Sequence, residues 1–206
     1  MRSTSRNSVR SGLRAASTAA VLCLSAPFTF AQTLDWGIQF GAPSGDLAAE
    51  AIDSDGVGGF FVGGYGDPSG GGNNAWIARY DSSQIPMWTR QWGGSGNYGF
   101  AALAEDGSGG VVTIGTIYPT TIPSPPPGAE IYLARYDSAG VLQWSGQFGS
   151  PDNDRAKDID TDELGNIYWC GDTDPGSMGT NYDAWLARYD AAGQPVWLRQ
   201  FGSSNG

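Results

Sequence analysis

From Ala48 onward the chain alternates short apolar runs with breaks rich in glycine and aspartate. No apolar spacing of three and four residues persists for the length of a helix. The first set of runs predicts four strands, lettered A to D: Ala48–Asp53, Phe60–Tyr65, Ala75–Asp81 and Met87–Trp92. A period of two puts Trp76, Ala78 and Tyr80 on one face of strand C and Ile77, Arg79 and Asp81 on the other. In strand D it sets Trp88 and Trp92 opposite Gln91.

The breaks predict tight turns. Between A and B, Asp55, Asp106 and Asp162 are each followed three residues later by Gly58, Gly109 and Gly165. Between C and D, Asp137 and Asp190 precede Gly140 and Gly193 by the same step, while Gln84 replaces the glycine after Asp81. Asp-x-x-Gly suits a type I turn, in which aspartate caps the first position and glycine takes the positive φ that follows.

The four-strand unit recurs. WGIQFG at Trp36, WTRQWG at Trp88, WSGQFG at Trp144 and WLRQFG at Trp197 align without gaps, at spacings of 52, 56 and 53. A second marker, ARYD, keeps step at Ala78, Ala134 and Ala187. Four strands per repeat of about fifty residues describe a β-propeller blade. The fold class expected is therefore all-β, with four-stranded antiparallel blades over residues 32–206. The repeats run over about 36–87, 88–143 and 144–196, and a further one starts at 197–206. Three full blades plus one extra strand, Trp36–Gly41, cannot close a ring that typically takes four to eight. The propeller is thus expected to be incomplete, finished by more blades or by self-association. Its uncovered ends are expected to expose aromatics such as Trp76 and Tyr80 or Trp185 and Tyr189.

The whole pattern is W-x-x-Q-F-G, then D-x-x-G with an aromatic strand, then [LI]-A-R-Y-D-x-x-G-x-x-x-W. It is similar to the SBBP repeats. That family takes its name from seven-bladed β-propellers and is found in bacterial exported and surface proteins. The likeness runs from Trp36 to Gly202 and implies the fold. It brings no catalytic residues, because the signature is structural.

The first 31 residues stand apart from the repeats. Arg2, Arg6, Arg10 and Arg14 precede the small apolar run Ala15–Ala26, and Thr29-Phe30-Ala31 follows. A basic start, a short apolar stretch and a small-x-Ala site predict a signal peptide over 1–31 and an exported protein, extracellular, periplasmic or on the cell surface. The run is too short to span a bilayer. Removing it takes four of the eleven basic residues and none of the 21 acidic ones, leaving a formal charge of −14 over 175 residues. Such a charge argues against nucleic acid and anionic membranes as partners. Cys23 leaves with the leader, so Cys170 stands alone and no intrachain disulfide can form; its apolar strand predicts an unreactive buried thiol. The chain has no histidine, which excludes Ser-His-Asp and Cys-His catalysis and the usual zinc sites.

In an up-and-down blade the A–B and C–D turns share one rim, and the variable B–C and D–A loops share the other. Loops on a rigid scaffold carry function. The binding surface is therefore expected near Asp67, Asn97, Tyr98, Tyr118, Asp152, Asp154, Asp172, Asp174 and Tyr182. Asp158, Asp160, Asp162 and Glu163 form an acidic cluster that could hold calcium, although repeat two carries Ala104, Glu105, Asp106 and Gly107 there. No other cofactor is expected. Arg79, Arg135 and Arg188 recur two residues before Asp81, Asp137 and Asp190, which predicts an internal ladder of like pairs. Pro119, Pro123, Pro125, Pro126 and Pro127 predict a stiff, extended loop. The function expected is a non-catalytic exported or cell-surface scaffold that binds a protein or glycan through the variable rim. Alternatives are a propeller enzyme, quinoprotein-like or metal-dependent, and an incomplete gene product without independent function. Asp137-x-x-Gly140-x-x-x-Trp144 resembles the tryptophan-docking motif of quinoprotein propellers, but a shared fold does not carry chemistry.

Overall fold

A computed structural model describes residues 47–66, 73–93, 97–118, 128–150, 152–174 and 182–202, all within one compact unit that starts at Ala42. The leader, the strand expected at Trp36–Gly41, Asp67 and the five prolines of the second repeat lie outside the described residues. Blade 1 comprises β1 (Leu47–Ser54), β2 (Phe60–Gly66), β3 (Asn74–Tyr80) and β4 (Pro86–Trp92). In blade 2 the strands are β5 (Asn97–Glu105), β6 (Val111–Tyr118), β7 (Glu130–Tyr136) and β8 (Leu142–Phe148). Blade 3 contains β9 (Asn153–Thr161), β10 (Ile167–Asp174), β11 (Asp183–Tyr189) and β12 (Pro195–Phe201). Each is a four-stranded antiparallel sheet in chain order, so the strand boundaries read from blade 1 hold to within one residue.

Two bulges recur in every blade, and neither shows in the alternation of residue types. Glu50, Ala101 and Lys157 are left out of the A–B pairing. Met87, Gln143 and Val196 are left out of the C–D pairing, each directly before the repeat tryptophan. A bulge bends its strand and turns the next side chain. Here it sets Trp88 across from Arg79, Trp144 across from Arg135 and Trp197 across from Arg188.

The blades stack face to face. We call the face turned toward the following blade the forward face and the opposite one the rear face. Between blades 1 and 2, Phe61, Ala75 and Ile77 pack on Phe100, Leu103, Val111 and Tyr136, with Trp88 and Trp92 at the border. Val112, Ile114 and Leu133 of blade 2 likewise meet Ile159, Ile167 and Trp169 of blade 3. Burying each such side chain contributes roughly 1.5–3 kcal/mol, which is why the central strands β2, β3, β6 and β7 are apolar on both faces. Trp76, Ala78 and Tyr80 form a separate buried cluster on the rear face of blade 1. The expected exposure of Trp76 and Tyr80, or of Trp185 and Tyr189, is not found. Tyr189 packs in the core beside Trp169, and Trp185 is half-buried against that core, because both sit on the rear face toward blade 2. Among the described residues no helix is long and apolar enough to cross a membrane.

Candidate functional site

The rim of repeated turns is a docking machine. Asp55 accepts from the backbone amides of Val57 and Gly59 at 3.0 and 2.7 Å, closing the A–B turn. Its other oxygen takes Nε and Nη2 of Arg79 at 3.1 and 2.8 Å. Nη1 of that arginine then donates to the Ser138 carbonyl of blade 2 at 2.8 Å, and the Trp88 indole N–H reaches the same oxygen at 3.0 Å. Arg90 adds a 2.6 Å bond from Nε to the Gly140 carbonyl. One step on, Arg135 donates to Asp106 at 2.9 Å and to the Ala191 carbonyl of blade 3 at 2.5 Å. The charge ladder expected from sequence therefore exists in blades 1 and 2 but with other partners. Asp81, Asp137 and Asp190 do not pair with the arginines two residues before them; each caps its own C–D turn, as Asp81 does for the amides of Ser83 and Ile85.

Glycine is required at four positions of this rim, Gly59, Gly110, Gly140 and Gly193. A Cβ on Gly59 would come 2.2 Å from the Tyr80 carbonyl and 2.6 Å from an Asp55 oxygen; one on Gly110 would come 2.5 Å from the matching atoms. Gly140 and Gly193 carry φ of +73° and +77°, and the indoles of Trp88 and Trp144 lie on them, 2.6 and 2.7 Å from an added Cβ. In blade 1 the same place holds Gln84 at φ 59°.

The third blade breaks the pattern. Asn166 replaces the glycine of Gly59 and Gly110, and its amide bonds both oxygens of Asp162, at 3.1 and 2.8 Å. The Tyr168 hydroxyl adds a third bond at 3.2 Å. Among the described residues Arg188 meets no such carboxylate, and its Nε is buried without a hydrogen-bond partner.

Burial alone would raise the Asp55 carboxyl, but the Arg79 hydrogen bond, the Val57 and Gly59 amides and the Arg79 charge outweigh it and hold it below its ordinary value of 3.8. Asp106 is lowered too, where Ser108 and Arg135 overcome the effect of burial. A carboxyl depressed in the folded state adds stability above its unfolded value and loses it as pH falls through that range. The melting temperature should therefore hold steady from about pH 5 to 8 and drop below about pH 4. In an Asp55→Asn, Asp106→Asn double variant that acid drop should be shallower, as a melting series against pH will show.

The opposite rim divides into three places. At the seam of blades 1 and 2, Asn97, Tyr98 and Tyr118 come together, joined by Tyr65, Asn73 and Glu50, around an open groove of about 560 Å³. The Tyr98 amide donates to the Asn73 carbonyl at 2.9 Å and pins the two blades there. Between blades 2 and 3, Asp154 is 1% exposed and accepts from the Thr173 hydroxyl and the Ser150 amide. Its own amide bonds the Ala129 carbonyl at 2.8 Å, so Asp154 ties the two blades at this seam. Asp152 sits beside it in the D–A loop. On the forward face of blade 3, Asp172 pairs with Lys157 at 2.9 Å, Asp174 meets Arg155 at 3.5 Å, and that guanidinium covers the Tyr182 ring at 5.7 Å. The eight described residues of the expected rim thus fall at three separate places.

The expected calcium cluster does not assemble either. Among the described residues no three His, Cys, Asp or Glu side chains converge on a metal position. Asp158 and Asp160 each bond the next backbone amide, and Asp162 is spent on its own turn. Cys170 is half-buried, not fully enclosed, and burial together with the Asp158 charge pushes its thiol up, keeping it protonated.

Three blades docked through recurring arginine and tryptophan contacts define a β-propeller repeat protein. Residues 143–175 match the sequence model of the SBBP family, a beta-propeller repeat, so the chain carries that repeat. The chain is also 26% identical over 159 residues to the regulatory protein FlaEY of Caulobacter vibrioides, covering 68% of this chain and 17% of that protein. It spans under a fifth of that relative's length.

Proposed function

We propose that this repeat scaffold is non-catalytic and exported, and that it binds a glycan or protein through the loop rim at the seam of blades 1 and 2. The groove beside Tyr118 carries the reading. Tyr118 is 42% exposed, lies across Gly99, and has Tyr98 and Tyr65 as neighbours with Asn73, Asn97 and Glu50 around them. Flat aromatic rings offer an apolar surface at little entropic cost, while amide and carboxylate groups at the edge hydrogen-bond hydroxyls. That combination favours a sugar chain over a flat protein epitope. The name of the FlaEY relative, a regulatory protein, also favours binding over turnover.

Screening the purified chain against a glycan panel tests the reading. Tyr118→Ala and Asn97→Ala should each weaken binding about tenfold while leaving the melting temperature within about 2 °C. Retained affinity in both variants would remove the groove as the site, and capture of only a protein would reassign its partner. Export has its own check: the secreted form should begin at Gln32, which mass spectrometry of culture supernatant or periplasm will read.

A further inference from the structure

The seam of blades 2 and 3 holds a half-enclosed cavity of about 290 Å³, the size of a small-molecule pocket. Four rings wall it: Phe148 from blade 2, and Trp169, Trp185 and Tyr189 from blade 3. Phe148 meets Tyr189 edge-on at 5.1 Å and Trp169 at 6.5 Å between ring centroids. Beside these rings stands Asp154, 1% exposed. The Thr173 hydroxyl and the Ser150 amide each donate to one of its oxygens. The Trp185 indole N–H donates in turn to that hydroxyl, so ring and acid are held together.

The repeat does not require an acid here. The matching position at the first seam is Tyr98, with Ile117 in place of Thr173 and Thr113 in place of Trp169. Nor do the described residues neutralise it. Seven basic residues follow the first 31, and all are engaged elsewhere. Arg79, Arg135, Arg155 and Lys157 pair with other acids. Arg90 and Arg199 bond main-chain carbonyls, and Arg188 lies over the Tyr168 ring. A buried carboxylate without a cation is costly, and a cation that reaches it removes that cost.

We propose that this cavity binds a small organic cation, a methylated ammonium group seated on the rings beside Asp154. Aromatic faces attract a cation within about 6 Å of the ring centroid, most strongly where water is excluded. Both Asp154 oxygens already accept a hydrogen bond, and ring faces offer no acceptor. A cation without N–H groups therefore fits better than a primary amine. A calcium ion needs more oxygen ligands than this one carboxylate. The formal charge of −10 on the chain draws cations toward it. The site lies one seam away from the Tyr118 groove and does not depend on it.

Choline is the probe, and its neutral analogue with carbon in place of nitrogen is the control. Titrated with the purified chain, the choline methyl protons should shift upfield and saturate with a Kd of about 1 mM or lower. The neutral analogue should bind at least tenfold more weakly. Asp154→Asn should cost at least tenfold in affinity. Leu198 lines the cavity from an exposed strand position, so Leu198→Trp should fill it and abolish binding, with the melting temperature within about 2 °C. No saturation by about 10 mM, equal affinity for the neutral analogue, or binding that survives both substitutions would overturn the proposal. So would a loss of choline binding in Tyr118→Ala alone, which would assign the cation to the groove of the first seam.

Discussion

Replacing Arg79 with alanine should destabilise the protein by about 3 kcal/mol, equivalent to roughly 10 °C in melting temperature. Asp55 is 2% exposed, so the substitution strands a carboxylate among buried groups and leaves it only its turn amides. It also removes the bond from Arg79 to the Ser138 carbonyl, which ties blade 1 to blade 2. Arg135→Ala should behave alike, because Arg135 spans Asp106 and the Ala191 carbonyl in the same way. Arg188→Ala should cost less than about 1 kcal/mol despite its identical place in the repeat, since Asn166 has already taken the carboxylate it would need. Urea unfolding of the three variants separates these expectations. Equal losses at all three arginines would mean that the ion pairs do not set the stability.

Gly140→Gln should cost about as much, by a different route. The positive φ alone costs a non-glycine residue roughly 1 kcal/mol, and Gln84 shows that the same turn accommodates glutamine there. The larger part is steric, because the new Cβ would fall 2.6 Å from the Trp88 ring and force it out of the blade seam, adding about 2 kcal/mol. Introducing Gly140→Gln into a Trp88→Ala background isolates that share. The added cost should shrink to the backbone part, about 1 kcal/mol. An undiminished cost in that background would place the defect in the turn rather than between the blades.

Local spacing made the strands, the turns and the repeat legible, because each depends on a few consecutive residues. Alternation within Ala75–Asp81 separated Trp76, Ala78 and Tyr80 from Ile77 and Arg79, and the first three do lie in a different cluster from Ile77. What spacing could not reach was pairing across strands. Arg79 shares a face with Asp81, yet antiparallel pairing of β2 with β3 carries it beside Asp55, 24 residues earlier. The recurrence of glycine four residues after Asp55 and Asp106, and its replacement by Asn166 after Asp162, was the available signal that this column is crowded. The bulges at Glu50, Ala101 and Lys157 were invisible for the same reason, since a skipped residue changes register and not composition. The described rim residues lie apart because two groups belong to different blade seams and the third to the forward face of blade 3. The acidic run from Asp158 to Glu163 failed as a metal cluster because each strand aspartate bonds its nearest amide.

Two-dimensional NMR of the purified chain tests the stacking of blades through tryptophan and glycine most directly. Indoles lying on Gly140 and Gly193 should shift the α-protons of both glycines upfield and give cross-relaxation to Trp88 and Trp144, about fifty residues away in sequence. The Arg79 Nε proton, bonded to a buried Asp55, should be visible and slow to exchange, whereas the Trp197 ring should show no contact with any turn glycine. Ordinary glycine shifts without those contacts would contradict the docked arrangement of the three blades.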